Sequence, residues 1–409
     1  MTRNSIFKGA DGRNYAAVFA LVASLFLLWG VAHSILDVLN KHFQDTLVIS
    51  KARSALVQTM VYGGYFLMAL PAGRVIRRWG YRAGIVAGLL LYGAGALMFI
   101  PGERMMSFPF FLLCLFVIGC GLTFLETSAN PYVTILGDKR SAARRLNLAQ
   151  ALNGLGWMVG PLLGGLFILS GDGQEGGNMT LPYAVIGCVV ITLGLVFSRL
   201  NLPSPATSPR TADGDEGDAA GTSIWRIGTF RYGVVALLLY VAAQTGINSF
   251  FINYVLESDT TLSPSAAALM LSLGGMGLFM AGRLIGSFLL KAVAPARLML
   301  ICATGATACM ALTVMLHGTA GIAALCLTYA FESVMFPTIF SMSLTDITGS
   351  KTGTASSYLV MSIVGGAVAP IFMGMLGEDK MANGFLIPLL CFAAIAVYAL
   401  SYKRLRRKR

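Results

Sequence analysis

FLETSANP, residues 124–131, closes an apolar run that reaches back to Phe108 without a charge. The run is long enough to cross a bilayer, yet it holds a carboxylate, Glu126, and a proline, Pro131. Further along, ESVMFP at 332–337 sits in another apolar run and repeats the pattern: Glu, four residues, Pro. Two more pairs follow in the same order. VGPLLGG (159–165) matches VAPIFMG (368–374), and WGVAHSILD (29–37) matches YVAAQTGIN (240–248). On that register His33 corresponds to Gln244 and Asp37 to Asn248. Three ordered matches predict a chain built from two related halves, as membrane transporters are.

The composition agrees. The chain has 409 residues, 56% hydrophobic and 12% charged, and its mean hydropathy is +0.73. Soluble domains carry about 25% charged residues, so that class is excluded. Apolar runs between charged or Gly/Pro-rich breaks fall at 16–42, 54–76, 83–101, 108–136, 147–170, 181–198, 230–256, 265–290, 298–316, 319–345, 353–376 and 383–402. They are continuous rather than alternating, which argues for helices over a β-barrel. The expectation is an all-α membrane protein with twelve transmembrane helices in two six-helix pseudo-symmetric halves. Residues 1–198 would be the N-terminal half and 199–228 a cytoplasmic linker, much of it RLNLPSPATSPRTADGDEGDAAGTS (199–223). Residues 229–409 would be the C-terminal half with its basic tail.

Charge sets the orientation. Of 30 Lys and Arg, five (Lys41, Lys51, Arg53, Arg104, Lys380) fall on one side of such a bundle and the remaining 25 on the other. The positive-inside rule places both termini in the cytoplasm of a multi-pass protein of the cell (inner or plasma) membrane. The net charge of +12 is thereby explained by topology and lipid contact rather than by nucleic acid. No cleavable signal is evident, so the first run reads as an uncleaved anchor. There is no phosphate-binding GxxxxGK[ST] loop and no HExxH. The seven cysteines lack metal-ligand spacing and read as buried hydrophobes. An enzyme, a metal site and a bound cofactor are not expected.

Charges within the spans are the functional candidates. Each costs roughly 2.5–3.5 kcal/mol at the bilayer centre by insertion scales. Asp37 and Glu126 are read as proton-coupling groups, because a carboxylic acid removed from water holds its proton more readily and can ferry it. Glu332 and the polar residues His33, Asn130, Gln150, Asn153, Gln244 and Asn248 suit a polyol, since amides both donate and accept. His33 lies four residues from Asp37, on the same helix face. Trp29 offers a ring to the apolar side of a sugar. Arg283 is expected to reach toward the cytoplasmic surface. Arg77, Arg78, Arg144 and Arg145, in the basic loops, are candidates for gating.

Four segments carry a family resemblance: YGGYFLMALPAGRVIRRWGYRAGI (62–85), LETSANPYVTILG (125–137), RLNLAQALNGLG (145–156) and MFPTIF (335–340). They resemble the fucose permease group of the major facilitator superfamily. The resemblance implies alternating access and proton-coupled uptake of a neutral monosaccharide, L-fucose or a related hexose. It ties Asp37 and Glu126 to protonation and sugar binding, and it implicates Asn153, with Gln150, in the sugar site. The chain departs from fucose permeases before the span-1 acid, where it has His33, Ser34 and Leu36 rather than an Asn-rich stretch. It departs from glucose/galactose members by keeping both acids. The expected partners are a small sugar and membrane lipid, with a single chain as the functional unit. A proton-driven exporter of drugs or amphiphiles, a sodium-coupled sugar carrier and a non-transporting receptor stay open as alternatives.

Overall fold

The computed structural model describes residues 7–8, 13–137, 142–169, 180–200, 202, 224–290, 292–316, 318–347, 355 and 358–407. Most of the expected linker, 203–223, lies outside them.

Twelve long helices make up the bundle. The first six are α1 (Ala16–Leu47), α2 (Lys51–Ile76), α3 (Arg78–Met105), α4 (Phe108–Ile135), α5 (Ala142–Phe167) and α6 (Thr180–Arg199). The second six are α7 (Gly228–Ser258), α8 (Pro264–Gly286), α9 (Pro295–Met315), α10 (Thr319–Leu344), α11 (Tyr358–Leu376) and α12 (Met381–Arg406). Eleven are long and apolar enough to span a membrane. The exception is α5, whose first half carries Arg144, Arg145, Asn147, Gln150 and Asn153. Large apolar side chains such as Leu67, Leu195, Phe288, Leu390 and Leu400 stand outward, between 59% and 68% exposed. In water that belt would be an aggregation surface; against lipid tails it is at home. The molecule is a multi-pass membrane protein.

Local chemistry fixes the ends. The Ser50 hydroxyl accepts from Arg53 N at 3.2 Å and starts α2. Ser263 caps α8 in the same way, with Pro264 at its first position. From the end of α2 the backbone stays nearly helical through a basic turn and breaks at Gly80 (φ 80°), in the first turn of α3, a conformation glycine adopts without strain.

The packing pairs repeat with a shift of six helices. α1 packs on α5 as α7 packs on α11. α2 packs on α4 as α8 on α10, and α3 on α6 as α9 on α12. The repeat extends to single atoms. A methyl group on Gly156 of α5 would drive into the carbonyl oxygen of Leu27 on α1, and one on Gly365 of α11 into that of Leu238 on α7. These are corresponding positions of the two repeats. Small residues let the backbones touch at both crossings.

The halves meet through α1 with α7, α2 with α11 and α5 with α8, a set that a two-fold exchange of halves maps onto itself. Contacts lie toward the end opposite the termini. Asn40 Nδ2 donates to Ser249 O at 2.6 Å, Asn253 pairs with Gln44, and Thr59 Oγ1 donates to Ala367 O at 2.5 Å. At the rim, Lys51 Nζ bonds Glu257 Oε1 at 2.5 Å, Gly377 O at 2.7 Å and Glu378 O at 3.0 Å.

Two irregularities sit at mid-depth. α8 passes through a seven-residue π-helical stretch, Met270–Met276; such stretches concentrate at functional sites. α10 is interrupted after Glu332, with helix resuming at Met335. Pro337 has no N–H for the carbonyl of Ser333 four residues back. Arg283 supplies a donor instead, Nε to Ser333 O at 3.3 Å.

Candidate functional site

α1 turns His33 and Asp37 to one side, and α2 answers with Gln58, Tyr62 and Tyr65, spaced four and three apart along one face. Asp37 is 2% exposed. Its Oδ1 accepts from Gln58 Nε2 at 3.0 Å, and its Oδ2 has no partner. His33 Nε2 lies 3.0 Å from the Tyr65 hydroxyl, while the buried Nδ1 has no partner. The imidazole lies 5.7 Å from the ring of Trp157 on α5, at 12°. Glu126, on α4, lies near enough to Tyr65 for the two to act on each other electrostatically. Tyr62 feels both Asp37 and Glu126 and receives a hydrogen bond from Thr245 of α7 at 3.3 Å. Glu126 is half-buried, whereas Asp37 lies sealed beneath the inter-half contacts at Asn40 and Gln44.

The second half lays out its own cluster. Glu332 is fully buried. Gln244 and Arg283 are its polar neighbours, but neither meets hydrogen-bond geometry with the carboxylate oxygens. Arg283 does not run outward as the sequence reading expects; it turns in toward Glu332 and Tyr240 and lies over the Phe279 ring at 4.6 Å. The freed carbonyl of Ser333 draws it there. Asn248 Oδ1 accepts from the Tyr329 hydroxyl at 2.8 Å, and Tyr329 feels both Asp37 and Glu332. The acids of both halves thus surround one polar midline.

The remaining candidates fall around it. Asn130 Oδ1 accepts from Gln150 Nε2 at 3.2 Å, with both residues half-buried. Asn153 Nδ2 donates to the carbonyl of Phe26 at 3.0 Å. Trp29 stacks on Phe26, ring centres 4.3 Å apart, and is 4% exposed. Among the gating candidates, Arg145 is fully buried and donates to Val133 O at 3.1 Å. Arg78 is exposed and lies over the Trp79 ring at 5.0 Å. The side chains of Arg77 and Arg144 lie outside the described residues. Gln58, Tyr62, Tyr65, Trp157 and Tyr329 join the site without having been singled out as candidates. The 58/62/65 spacing on an apolar helix was the signal available for the first three. Among the described residues no group of His, Cys, Asp and Glu is placed to hold a metal.

Two six-helix bundles related by a two-fold exchange, meeting over buried acids and amides, define a membrane transporter of the two-half kind rather than an enzyme. The Major Facilitator Superfamily model matches residues 15–370. The L-fucose-proton symporter of Escherichia coli (strain K12) is 34% identical over 413 residues, covering 95% of this chain and 94% of that one. A glucose/galactose transporter of Brucella abortus biovar 1 (strain 9-941) is 34% identical over 398 residues, with the same coverage. A crystal structure of a point variant of the E. coli fucose:proton symporter superposes with a TM-score of 0.70 at 33% identity, covering 95% of this chain and 99% of that one. The chain belongs to the Major Facilitator Superfamily, in the fucose permease family.

Proposed function

We propose that this protein carries a neutral monosaccharide into the cell together with a proton. The observation that supports it most is the grouping of Asp37, Gln58, Tyr62, Tyr65, His33 and Glu126. It joins two acids to neutral hydrogen-bonding side chains, the setting in which a carboxylate can take and lose a proton without breaking an ion pair. The names of the relatives point to a hexose, L-fucose or glucose/galactose. The asparagines and glutamines suit hydroxyls, and Trp157 and Tyr62 give a ring something to lie against.

With both termini in the cytoplasm, the end joined by Lys51, Asn40 and Gln44 is the outer one, and the arrangement is inward-facing. Glu126, on the open side, would release its proton to the cytoplasm, while Asp37 stays behind the outer closure. Facing outward, a protonated acid and the sugar would occupy the midline together. The neutralised site can then turn inward. A membrane potential contributes about 2.3 kcal/mol per charge per 100 mV, and each pH unit about 1.36 kcal/mol. Lower external pH should therefore raise uptake.

The test is external pH in lightly buffered, de-energised cells given L-fucose, D-glucose, D-galactose, D-mannose and N-acetylglucosamine in turn. Alkalinisation with one of them, lost in Glu126→Gln, is the expected result and names the substrate. Labelled sugar uptake that leaves external pH unchanged and needs sodium, or no ion, would overturn proton coupling.

A further inference from the structure

We propose that two hydrogen bonds, from Thr59 to the carbonyl of Ala367 and from Ser272 to the carbonyl of Met158, mark the hinge line about which the halves rock, and that both stay made when the outer end opens. This rests on the reading of the protein as a carrier that alternates between inward- and outward-facing forms, and names the part of the seam that stays closed.

The two bonds are one bond made twice. Thr59 Oγ1 of α2 donates to Ala367 O of α11 at 2.5 Å, and Ser272 Oγ of α8 donates to Met158 O of α5 at 2.6 Å. The acceptors correspond in sequence. Met158 directly precedes VGPLLGG, and Ala367 directly precedes its repeat, VAPIFMG. The donors correspond in position. Thr59 is the ninth residue of α2 counted from Lys51, and Ser272 the ninth of α8 counted from Pro264. The match continues outward. Gly374 is pressed against the backbone of Ala52, the second residue of α2, and Gly165 lies in looser contact with that of Ser265, the second of α8.

Halves of this kind are related by an axis along the membrane normal, so equivalent positions lie at equal depth. Each donor is eight residues in from the outer end of its helix, a rise of about 12 Å. The exchange of halves sets the two bonds on opposite flanks of the seam, with the contact of α1 and α7 between them. Among the described residues, the hydrogen bonds of the seam run inward from Lys51 at the rim and end one turn beyond Thr59, where Thr245 meets Tyr62.

Two points fix an axis. Rotation about the line through both bonds parts the contacts outside it, Gln44 with Asn253, Lys51 with Glu257 and Gly374 with Ala52, while neither bond lengthens. A sliding of one half past the other would break both. The chemistry suits a hinge. Both donors are rotatable hydroxyls, and a carbonyl oxygen accepts over a broad range of directions, so each bond can follow a tilt. Each acceptor lies three residues before a proline, Pro161 or Pro370, in the turn that a proline loosens. Ser272 lies in the π-helical stretch Met270–Met276, which gives that irregular stretch a contact to make across the seam.

A bond kept in both forms cancels from the equilibrium between them; a bond present in one form does not. The outward-facing fraction is read as the rate at which a membrane-impermeant maleimide, added outside cells, labels Ala55→Cys. Ala55 is fully buried and lies on α2 between Ala52 and Thr59, the residues that touch α11. The chain without that change gives the background. Loss of the outer bond in Asn253→Ala should raise the rate about two- to tenfold. Thr59→Val and Ser272→Ala should leave it unchanged. Each should nevertheless lower the midpoint of thermal unfolding in detergent, and Thr59→Ser should restore it.

A labelling rate that moves in Thr59→Val or Ser272→Ala as it does in Asn253→Ala overturns the hinge and leaves alternation standing. Unchanged labelling with unchanged melting also overturns it, because the bonds then hold nothing. Labelling absent from every variant, Asn253→Ala included, means that the outer end never opens, and the carrier reading itself has failed.

Discussion

Glu126 and Glu332 begin the same six-residue pattern in the two repeats, yet they live in different company. Glu126 lies in a helix continuous from Phe108 to Ile135, half-buried and near Tyr65, whose hydroxyl lies 3.0 Å from His33 Nε2. Glu332 ends a helix that breaks after it, fully buried, with Arg283 drawn in beside it by the open carbonyl of Ser333. The first acid has neutral hydrogen-bonding side chains, Tyr62 and Tyr65, for neighbours. The second is sealed from water, with a guanidinium nearby that makes no hydrogen bond to it. Duplication gave both halves one scaffold, and the two acids have since acquired different neighbours.

The sharpest way to break this contrast is to neutralise each acid in turn. Glu126→Gln should abolish proton-driven accumulation, a loss of a hundredfold or more in the steady-state sugar gradient. Glu332→Gln should keep a proton-coupled gradient while binding sugar less tightly. Equal loss of coupling in both variants, measured as sugar-driven alkalinisation, would erase the distinction. Gly156→Ala comes next. Its methyl meets the Leu27 carbonyl, so α1 and α5 must part, at a cost of about 1–3 kcal/mol. Gly365→Ala should cost a similar amount if the halves pack alike, and thermal unfolding in detergent compares the two. Gln58→Leu removes the one hydrogen bond to buried Asp37 and should destabilise by about 1–3 kcal/mol, with uptake shifted along the pH axis. The smallest effect belongs to Lys51→Ala. An exposed ion pair is worth about 0–1 kcal/mol, so the change should favour outward opening by less than about tenfold. Labelling of a cysteine placed at Ser249 reports it.

Much of this was legible in the residues. The repeated Glu-x4-Pro, the twelve runs and the placement of Asp37 and Glu126 at one midline all follow from pattern. The site's wider cast was harder to see. Tyr62 and Tyr65 look like ordinary aromatic residues of an apolar helix until His33, Glu126 and Thr245 are set around them, and nothing local says that they will be. Arg283 looked like a surface-seeking cation because the carbonyl that captures it is created by a proline on another helix. The π-helical stretch of α8 has the composition of any glycine-containing span. Within it, Gly275 is set directly against the ring of Tyr329. α5 extends earlier than its apolar run because its first turns carry Arg145, whose buried guanidinium bonds the carbonyl of Val133.

The touching backbones at Gly156 and Gly365 have a mechanical consequence. Within each half, the crossing of the first and fifth helices is set by main chain against main chain, which yields only if the helices separate. The seam between the halves has one such close approach, Gly374 of α11 against the backbone of Ala52 on α2, and is otherwise held by single side-chain bonds such as those of Asn40, Gln44, Thr59 and Tyr62. Each such bond is worth about 0.5–1.5 kcal/mol net. Breaking a few of them therefore takes energy of the same order as moving one charge down about 100–150 mV. Stiff bodies joined by a seam of that strength can shift against each other without their own packing being strained.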